Sequence, residues 1–195
     1  RNRLCAMRVI AGSCRSMPLK TVPGSGTRPT TDRIKETLFN ILQSSVPNAV
    51  VADVFAGSGA LGIEALSRGS RFAWFSDADR KAVQVIRENL EFTRLKDSAR
   101  VLHMNYTDAI RTIASVGVCP AIVFLDPPYG KGLIFDALKC FRENSCADEN
   151  TLFVAEASCE EDFGSLEEIG FVSVREKKYK TNKHVFIKMK LGETV

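Results

Sequence analysis

The sequence predicts an α/β fold, built on a doubly wound and mostly parallel sheet of seven strands. Short apolar runs, typical of buried parallel strands, alternate with segments whose apolar residues recur at helical spacing. A glycine-rich turn follows the first run, as it does at the ligand-binding edge of such sheets. Two adjacent strand-like segments near the end predict an antiparallel hairpin that closes the sheet.

The first segments predict a small N-terminal unit of a β-hairpin and a helix. Met7–Gly12 and Met17–Val22 form the expected basic hairpin, and Pro23–Thr27 is a loop. Thr31–Leu42 predicts a helix, since its apolar residues share one face. The residues from Thr30 to Asp32 offer side-chain oxygens that can cap it. We expect residues 1–30 to be a basic extension or hairpin and residues 31–195 to carry the main fold, the two together forming a single compact domain.

The remaining elements are expected to alternate along the chain. The helix after the second strand should turn Val83, Ile86, Leu90 and Phe92 inward. In chain order we expect a strand at 50–54, a helix from near Ala60, a strand at 72–76, a helix at about 79–95, a strand at 100–104, a helix ending near Ala114, a strand at 121–125, a helix at 133–141, a strand at 151–157, and a hairpin of 171–180 and 184–190 about the turn 181–183.

Residues 50–62 join a buried strand to a glycine-rich turn, Asp53-Val-Phe-Ala-Gly-Ser-Gly-Ala-Leu-Gly62. The glycines permit close approach of the backbone to a ligand, and the helix that follows offers N–H groups. Asp77 ends the next strand, where a carboxylate can accept hydrogen bonds from ribose hydroxyls. The spacing also matches the dinucleotide fingerprint G-x-G-x-x-G, and the glycines can simply pack helix against strand. All three interpretations stay open on this motif alone.

Residues 123–129, Val-Phe-Leu-Asp-Pro-Pro-Tyr, are the second feature. The apolar run predicts a buried strand, and two prolines stiffen the following loop because each fixes φ and lacks an N–H donor. Asp126 supplies an acceptor and Tyr129 a flat ring, which suits a base with an exocyclic amine. An ordinary proline-rich turn, with Tyr129 as a core aromatic, is the alternative. Both features should lie at one edge of the sheet.

Together, Asp53-x-Phe-x-Gly-x-Gly and Asp-Pro-Pro-Tyr resemble the motifs of class I S-adenosylmethionine-dependent methyltransferases that act on amino groups. Arg28–Leu42, which begins Arg-Pro-Thr-Thr-Asp-Arg, and Phe55–Gly69 are similar to the bacterial small-subunit rRNA (guanine-N2)-methyltransferases of the RsmD family. The resemblance extends from about Met7 to about Lys190. It implies a Rossmann-like fold and methyl transfer from S-adenosyl-L-methionine to the N2 amine of a guanine in 16S rRNA.

The resemblance also implies roles for individual residues. The catalytic loop would be Asp126, Pro127, Pro128 and Tyr129, with the Asp126 carboxylate and the Pro127 carbonyl accepting the amine N–H bonds and Tyr129 stacking on the base. No metal is required. The implied cofactor-binding residues come from the glycine-rich turn and the ends of neighbouring strands: Asp53, Phe55, Ala56, Gly57, Ser58, Gly59, Asp77, Ala78, Asn105, Tyr106 and Asp126.

Charge is concentrated at the two ends of the chain, although the net charge is only +4. Residues 1–35 hold eight Lys or Arg and one acid, and residues 175–190 hold seven and one. Basic ends suit a phosphate-backbone ligand, while two solvated edges are the alternative. The expected partner is ribosomal RNA, within a small-subunit particle or assembly intermediate. The expected RNA-binding residues are Arg8, Arg15, Arg28, Thr30 and Arg33.

Other chemistries find little support in the composition. The six cysteines contain no C-x-x-C pair, so we expect reduced thiols and no zinc site. His103 and His184 each lie in a strand-like run, and we expect structural roles for both. No long apolar run or signal-peptide pattern is present, so we expect no membrane partner and a cytoplasmic location. A monomer is the default expectation.

Two other functions stay open. A DNA adenine-N6 methyltransferase shares both central motifs, but no large target-recognition insert is visible after the fourth strand. A dinucleotide-dependent oxidoreductase or a non-catalytic nucleotide-binding module explains the glycines and Asp77, but gives residues 126–129 no task. A carboxylate at Asp126 can accept from both N1–H and N2–H of guanine, which favours guanine. Amino-methyltransferases that act on adenine also use Asp at this place.

Overall fold

The structure is a computed structural model that describes residues 7–23 and 32–190. None of the helices in these ranges is long and apolar enough to span a membrane. Two short 3-10 turns, Lys96–Ser98 and Leu166–Ile169, accompany the main elements. These elements are α1 (Asp32–Ile41), β1 (Val50–Asp53), α2 (Ala60–Ser67), β2 (Phe72–Asp77), α3 (Arg80–Phe92), β3 (Ala99–His103), α4 (Tyr106–Ser115), β4 (Ile122–Leu125), α5 (Leu133–Glu143), β5 (Leu152–Ser158), β6 (Phe171–Lys178) and β7 (Asn182–Met189).

The seven strands form one sheet in the order β3-β2-β1-β4-β5-β7-β6. All pairs from β3 to β5 are parallel, and β7 is antiparallel to both of its neighbours. The predicted fold class is therefore confirmed. The strand order reverses between β1 and β4, so the switch point where ligands bind in such sheets lies between these two strands.

Apolar cores cover both faces of the sheet. On one face, α4 and α5 pack Ile110, Ile113 and Phe141 against the strands. On the other face lie α1, α2 and α3, together with the N-terminal segment 7–23, which contributes Val9 and Leu19. A strand that is buried on both faces has a continuous apolar sequence, which explains why β1 and β4 could be predicted from the sequence.

The predicted N-terminal hairpin is wrong in its extent. Within the described residues 7–23, a single antiparallel bridge forms, between Arg8 and Pro18, and neither half is assigned as a strand. The reason is competition for backbone donors. The buried Glu64 carboxylate accepts from Ile10 N and Ala11 N at 2.8 and 3.0 Å, so these groups do not continue a ladder. The segment is held against α2 instead.

Several predicted boundaries shift by a few residues. Two predictions are wrong: the one that the Phe92 side chain faces the core, and the one that residues 182 and 183 form a turn. The Phe92 side chain is 54% exposed, because it lies at the last position of α3, where the helix leaves the core. Asn182 and Lys183, predicted as part of a turn, already belong to β7. Their side chains explain this, since Asn182 donates to Glu156 and Lys183 to Glu176, which fixes both in the ladder.

The third glycine of the motif has a packing role. A Cβ at Gly62 would lie 2.3 Å from Cε1 of Phe75, so α2 approaches β2 only because no side chain stands there. This supports the packing interpretation for this one position. Gly57 differs, since a Cβ there would meet nothing within 4 Å.

We predict that Gly62→Ala lowers the free energy of unfolding by about 1–3 kcal/mol, because the added methyl overpacks the Phe75 ring. Urea unfolding monitored by circular dichroism measures the change. Gly164→Ala is the matched control, since a Cβ there makes an ordinary contact of 3.4 Å and the site is exposed. Equal stability of the two variants would contradict the packing role.

Candidate active site

A cavity of about 480 Å³ opens at the carboxyl ends of the parallel strands. The glycine-rich turn, the ends of β2 and β3, and the loop after β4 form its wall. The predicted site residues on the wall are Phe55, Gly57, Ser58, Asp77, Ala78, Asn105, Tyr106, Asp126 and Pro128. The other predicted residues are not on the wall, and these are Asp53, Ala56, Gly59, Pro127 and Tyr129.

Asp77 organises the glycine-rich turn. One carboxylate oxygen accepts from Gly57 N at 2.9 Å and the other from Asp79 N at 2.8 Å. Each oxygen keeps a second lone pair, so the side chain can still accept from a ligand. Asp79 caps α3 by accepting from Lys81 N, and it also borders the cavity. The left-handed conformation of Gly57, with φ of 54°, lets the turn meet Asp77.

Two aromatic rings line the same cavity as Asp77. The rings of Phe55 and Tyr106 lie with centroids 5.2 Å apart. Tyr106 begins α4, and Asn105 caps this helix by accepting from Asp108 N at 2.9 Å. Burial raises the pKa of Tyr106. The cavity thus combines apolar rings with the Asp77 carboxylate, a combination that suits a nucleoside.

Asp53 and Asp126 flank the switch point between β1 and β4. Asp53 pairs with Phe124 in the sheet, and Asp126 follows two residues later. Burial raises the pKa of Asp53 to about 7; the Gly62 N–H opposes this rise and Asp77 adds to it. Asp53 Oδ1 is buried with no hydrogen-bond partner in the described part of the chain. Burial, then the charges of Glu156 and Asp53, raise the pKa of Asp126 well above its ordinary value.

Glu156, which bonds the predicted residue Tyr129, was not predicted from the sequence. It lies in β5 and is only 7% exposed. It accepts from Tyr129 Oη at 3.0 Å and Asn182 Nδ2 at 2.8 Å, and its other oxygen lies 3.3 Å from His184 Nε2. Burial alone raises the pKa of Glu156, but the hydrogen bonds from His184, Tyr129 and Asn182 lower it overall. The sequence does hold a signal for this role, because Glu156 is a charged residue within the apolar run of β5 and a buried charge needs hydrogen-bond partners.

The N-terminal segment supplies part of the cavity wall through Met7, Thr21 and Val22. Asn89 of α3 ties this segment to the glycine-rich turn. Its amide accepts from Lys20 N at 2.8 Å and donates to Lys20 O and Ser58 O at 3.0 and 2.9 Å. No pattern in the sequence predicts these contacts, since the partners are far apart along the chain. The wall residues that we had not predicted are Met7, Thr21, Val22, Val54, Asp79 and Ala82.

The predicted RNA-binding residues fall into two groups. Arg8, Arg15 and Arg33 are exposed, and Arg8 Nε lies 2.7 Å from Asp32 Oδ2. Arg28 and Thr30 lie outside the described residues. Within residues 7–23 and 32–190, no group of three or more His, Cys, Asp or Glu could hold a metal ion. The cysteines described there are free thiols.

Comparisons with known proteins assign the family. The model of the family described as conserved hypothetical protein 95 matches residues 7–188. Ribosomal RNA small subunit methyltransferase D of Escherichia coli is 40% identical over 149 residues, which are 76% of this chain and 73% of that protein. This chain belongs to that family. The resemblance of the sequence to RsmD-family methyltransferases is therefore confirmed.

Other relatives of the RsmD family agree with this assignment. The protein of the same name from Haemophilus influenzae is 34% identical over 151 residues, covering 77% of this chain and 78% of that protein. The solved structure of yhhF from Escherichia coli is 34% identical, with a TM-score of 0.78 over 95% of this chain and 98% of that chain. The fold and the family are thus supported by sequence and by structure.

We predict that Asp53 makes the stability of this family member fall as the pH rises from about 4 to about 7. In that range the folded protein retains a proton that the unfolded chain has lost, so raising the pH favours unfolding. Asp53→Asn should therefore unfold like the wild type near pH 4. Near pH 8 it should be more stable, by an amount on the order of 4 kcal/mol. Denaturant unfolding at both pH values measures this gap, and a constant difference would contradict the prediction.

Proposed function

We propose that this protein transfers a methyl group from S-adenosyl-L-methionine to the N2 amine of a guanine in small-subunit ribosomal RNA. The observation that carries the proposal is the position of Asp126, on the wall of the cavity that the glycine-rich turn also lines. One side chain is thereby available to both a bound cofactor and a base at the cavity mouth. The names of the relatives support ribosomal RNA as the substrate.

The residues of the cavity fit S-adenosyl-L-methionine. Phe55 and Tyr106 offer a flat surface for adenine, and Asp77 has free lone pairs for the ribose hydroxyls. Gly57 leaves open space where a side chain would stand, which gives the methionine part access to the backbone. The cofactor, when bound, supplies an electrophilic methyl group on a sulfonium.

The remaining chemistry belongs to this chain. The amine of guanine is a weak nucleophile, because its lone pair is delocalised into the ring. Acceptors on its N–H bonds aim that lone pair and offset the positive charge that develops as the methyl group is transferred. Asp126 would accept from N1–H and N2–H together, as a carboxylate can. Its raised pKa makes it a stronger base for the proton that the amine finally releases.

The basic N-terminal segment supports RNA as the macromolecular partner. Arg8 is exposed next to Met7, which lines the cavity, so a phosphate contact there would lie close to the site. Arg15 is exposed farther along the same segment, next to Cys14, which bonds Ser67 at the end of α2. The target base must leave its stack to enter the cavity. Tyr129, 46% exposed, offers its ring beside Asp126 for stacking.

We predict that Asp126→Ala abolishes methyl transfer while the affinity for S-adenosyl-L-methionine changes little, since all the other proposed cofactor contacts lie on other elements. Mass spectrometry of rRNA nucleosides from cells lacking the protein should show the loss of one N2-methylguanine. The wild-type gene should restore it and the variant should not. Calorimetry with S-adenosyl-L-methionine, and with NAD as comparison ligand, measures binding. Near-normal turnover of the variant would remove Asp126 from the mechanism.

We predict that RNA affinity falls steeply with salt, because binding releases counterions from phosphates. Arg15→Gln should reduce the slope of log K against log salt by about 0.7–0.9 if Arg15 contacts one phosphate. Filter binding between low and moderate salt measures the slope. Arg111→Gln on α4, at the opposite face of the sheet, is the control and should keep the wild-type slope. A wild-type RNA affinity that does not change with salt concentration would contradict binding through phosphate contacts.

A further inference from the structure

Glu156 is placed where a strand of the core would ordinarily carry an apolar residue. Its neighbours in β5, Ala155 and Ala157, are fully buried. A carboxylate in such a position costs free energy unless donors surround it. His184 stands directly opposite Glu156 in β7, and Asn182 of the same strand donates to it. The two strands thus build a fixed, hydrogen-bonded anion at the carboxyl edge of the sheet.

The third donor to this anion comes from the loop after β4. Tyr129 Oη donates to Glu156 Oε1 at 3.0 Å, across 27 residues of chain. The loop itself has Gly130 and Gly132 in the left-handed conformation, so its path is set by flexible residues rather than by a helix or strand. The Tyr129 side chain is nevertheless half-exposed. One end of it is held, and the ring remains accessible.

We propose that Glu156, itself held by His184 and Asn182, is a positioning residue that fixes the Tyr129 ring as the platform for the target base. This inference rests on the proposed function. A half-exposed tyrosine without such an anchor would have to be ordered whenever the substrate binds, at a cost in affinity. The anchor orders the ring beforehand. The strand register brings the loop close to the anchor. Leu125 pairs with Ala155 in the parallel pair β4–β5, so the residues that follow them, Asp126 and Glu156, lie side by side.

The test uses Tyr129→Phe, which keeps the ring but removes the hydroxyl that Glu156 accepts from. Glu156→Ala removes the anchor from the other side, and Glu160→Ala is the control, since it deletes an exposed carboxylate close by in the chain. Each full-length variant is assayed on small ribosomal subunits from cells lacking the protein. Steady-state kinetics give KM for the particle and kcat, and calorimetry gives Kd for S-adenosyl-L-methionine.

Tyr129→Phe and Glu156→Ala should each raise KM for the particle about tenfold, the scale of one lost hydrogen bond to a charged group. The cofactor Kd should change less than about threefold in both variants, and so should kcat in Tyr129→Phe, because a positioning contact made before reaction affects mainly substrate binding. Glu156→Ala also removes a charge that raises the pKa of Asp126, so the kcat criterion applies to Tyr129→Phe alone. The double variant should be no worse than Glu156→Ala alone, since both remove the same contact. The control should behave as the wild type.

An unchanged KM in Tyr129→Phe overturns the inference, and so does a double variant whose effects add. If Glu156→Ala does not fold, Tyr129→Phe decides alone, because its ring and the rest of the core are retained. The proposed function fails separately, when the wild-type protein transfers no methyl group to the particles. Wild-type transfer together with an unaltered Tyr129→Phe variant rejects only the role of Glu156.

Discussion

Four acidic side chains meet at the carboxyl edge of one sheet, and the site depends on how their mutual repulsion is managed. Each acid belongs to one of four neighbouring strands. Asp53 is the last residue of β1 and Asp77 the last residue of β2; Asp126 directly follows β4, and Glu156 lies near the end of β5. Like charges so close together, and partly out of water, raise the free energy of the folded state. The fold tolerates them because each acid has a different environment.

The environments divide the acids into two kinds. Asp77 accepts from two backbone N–H groups, and Glu156 is surrounded by donors from Tyr129, Asn182 and His184. Asp53 and Asp126, which flank the switch point, have raised pKa values and hold protons more readily. The two acids that accept several hydrogen bonds therefore lie on the outer two of these four strands, β2 and β5, and the two acids with raised pKa values lie at the switch point between β1 and β4.

The N-terminal segment 7–23 carries exposed arginines and also lines the cavity at the carboxyl edge of the sheet. The fully buried Glu64 carboxylate of α2 accepts hydrogen bonds from the segment's backbone at Ile10 and Ala11, and it pairs with Lys35 of α1. Asn89 ties Lys20 to Ser58 of the glycine-rich turn. Breaking a buried ion pair of this kind is strongly destabilising, so the segment is held as part of the cavity wall rather than as a loose arm.

The sequence alone determined the fold class and the two motif loops, because strands buried on both faces give apolar runs and the glycines and prolines mark the turns between elements. It did not determine the limited extent of the N-terminal hairpin or the hydrogen-bond partners of Glu156. Those depend on groups far apart in the chain: Glu64 taking donors from Ile10, and His184 meeting Glu156 only when β7 pairs with β5. Local patterns record which residues are buried, whereas only tertiary packing decides which buried polar groups become partners.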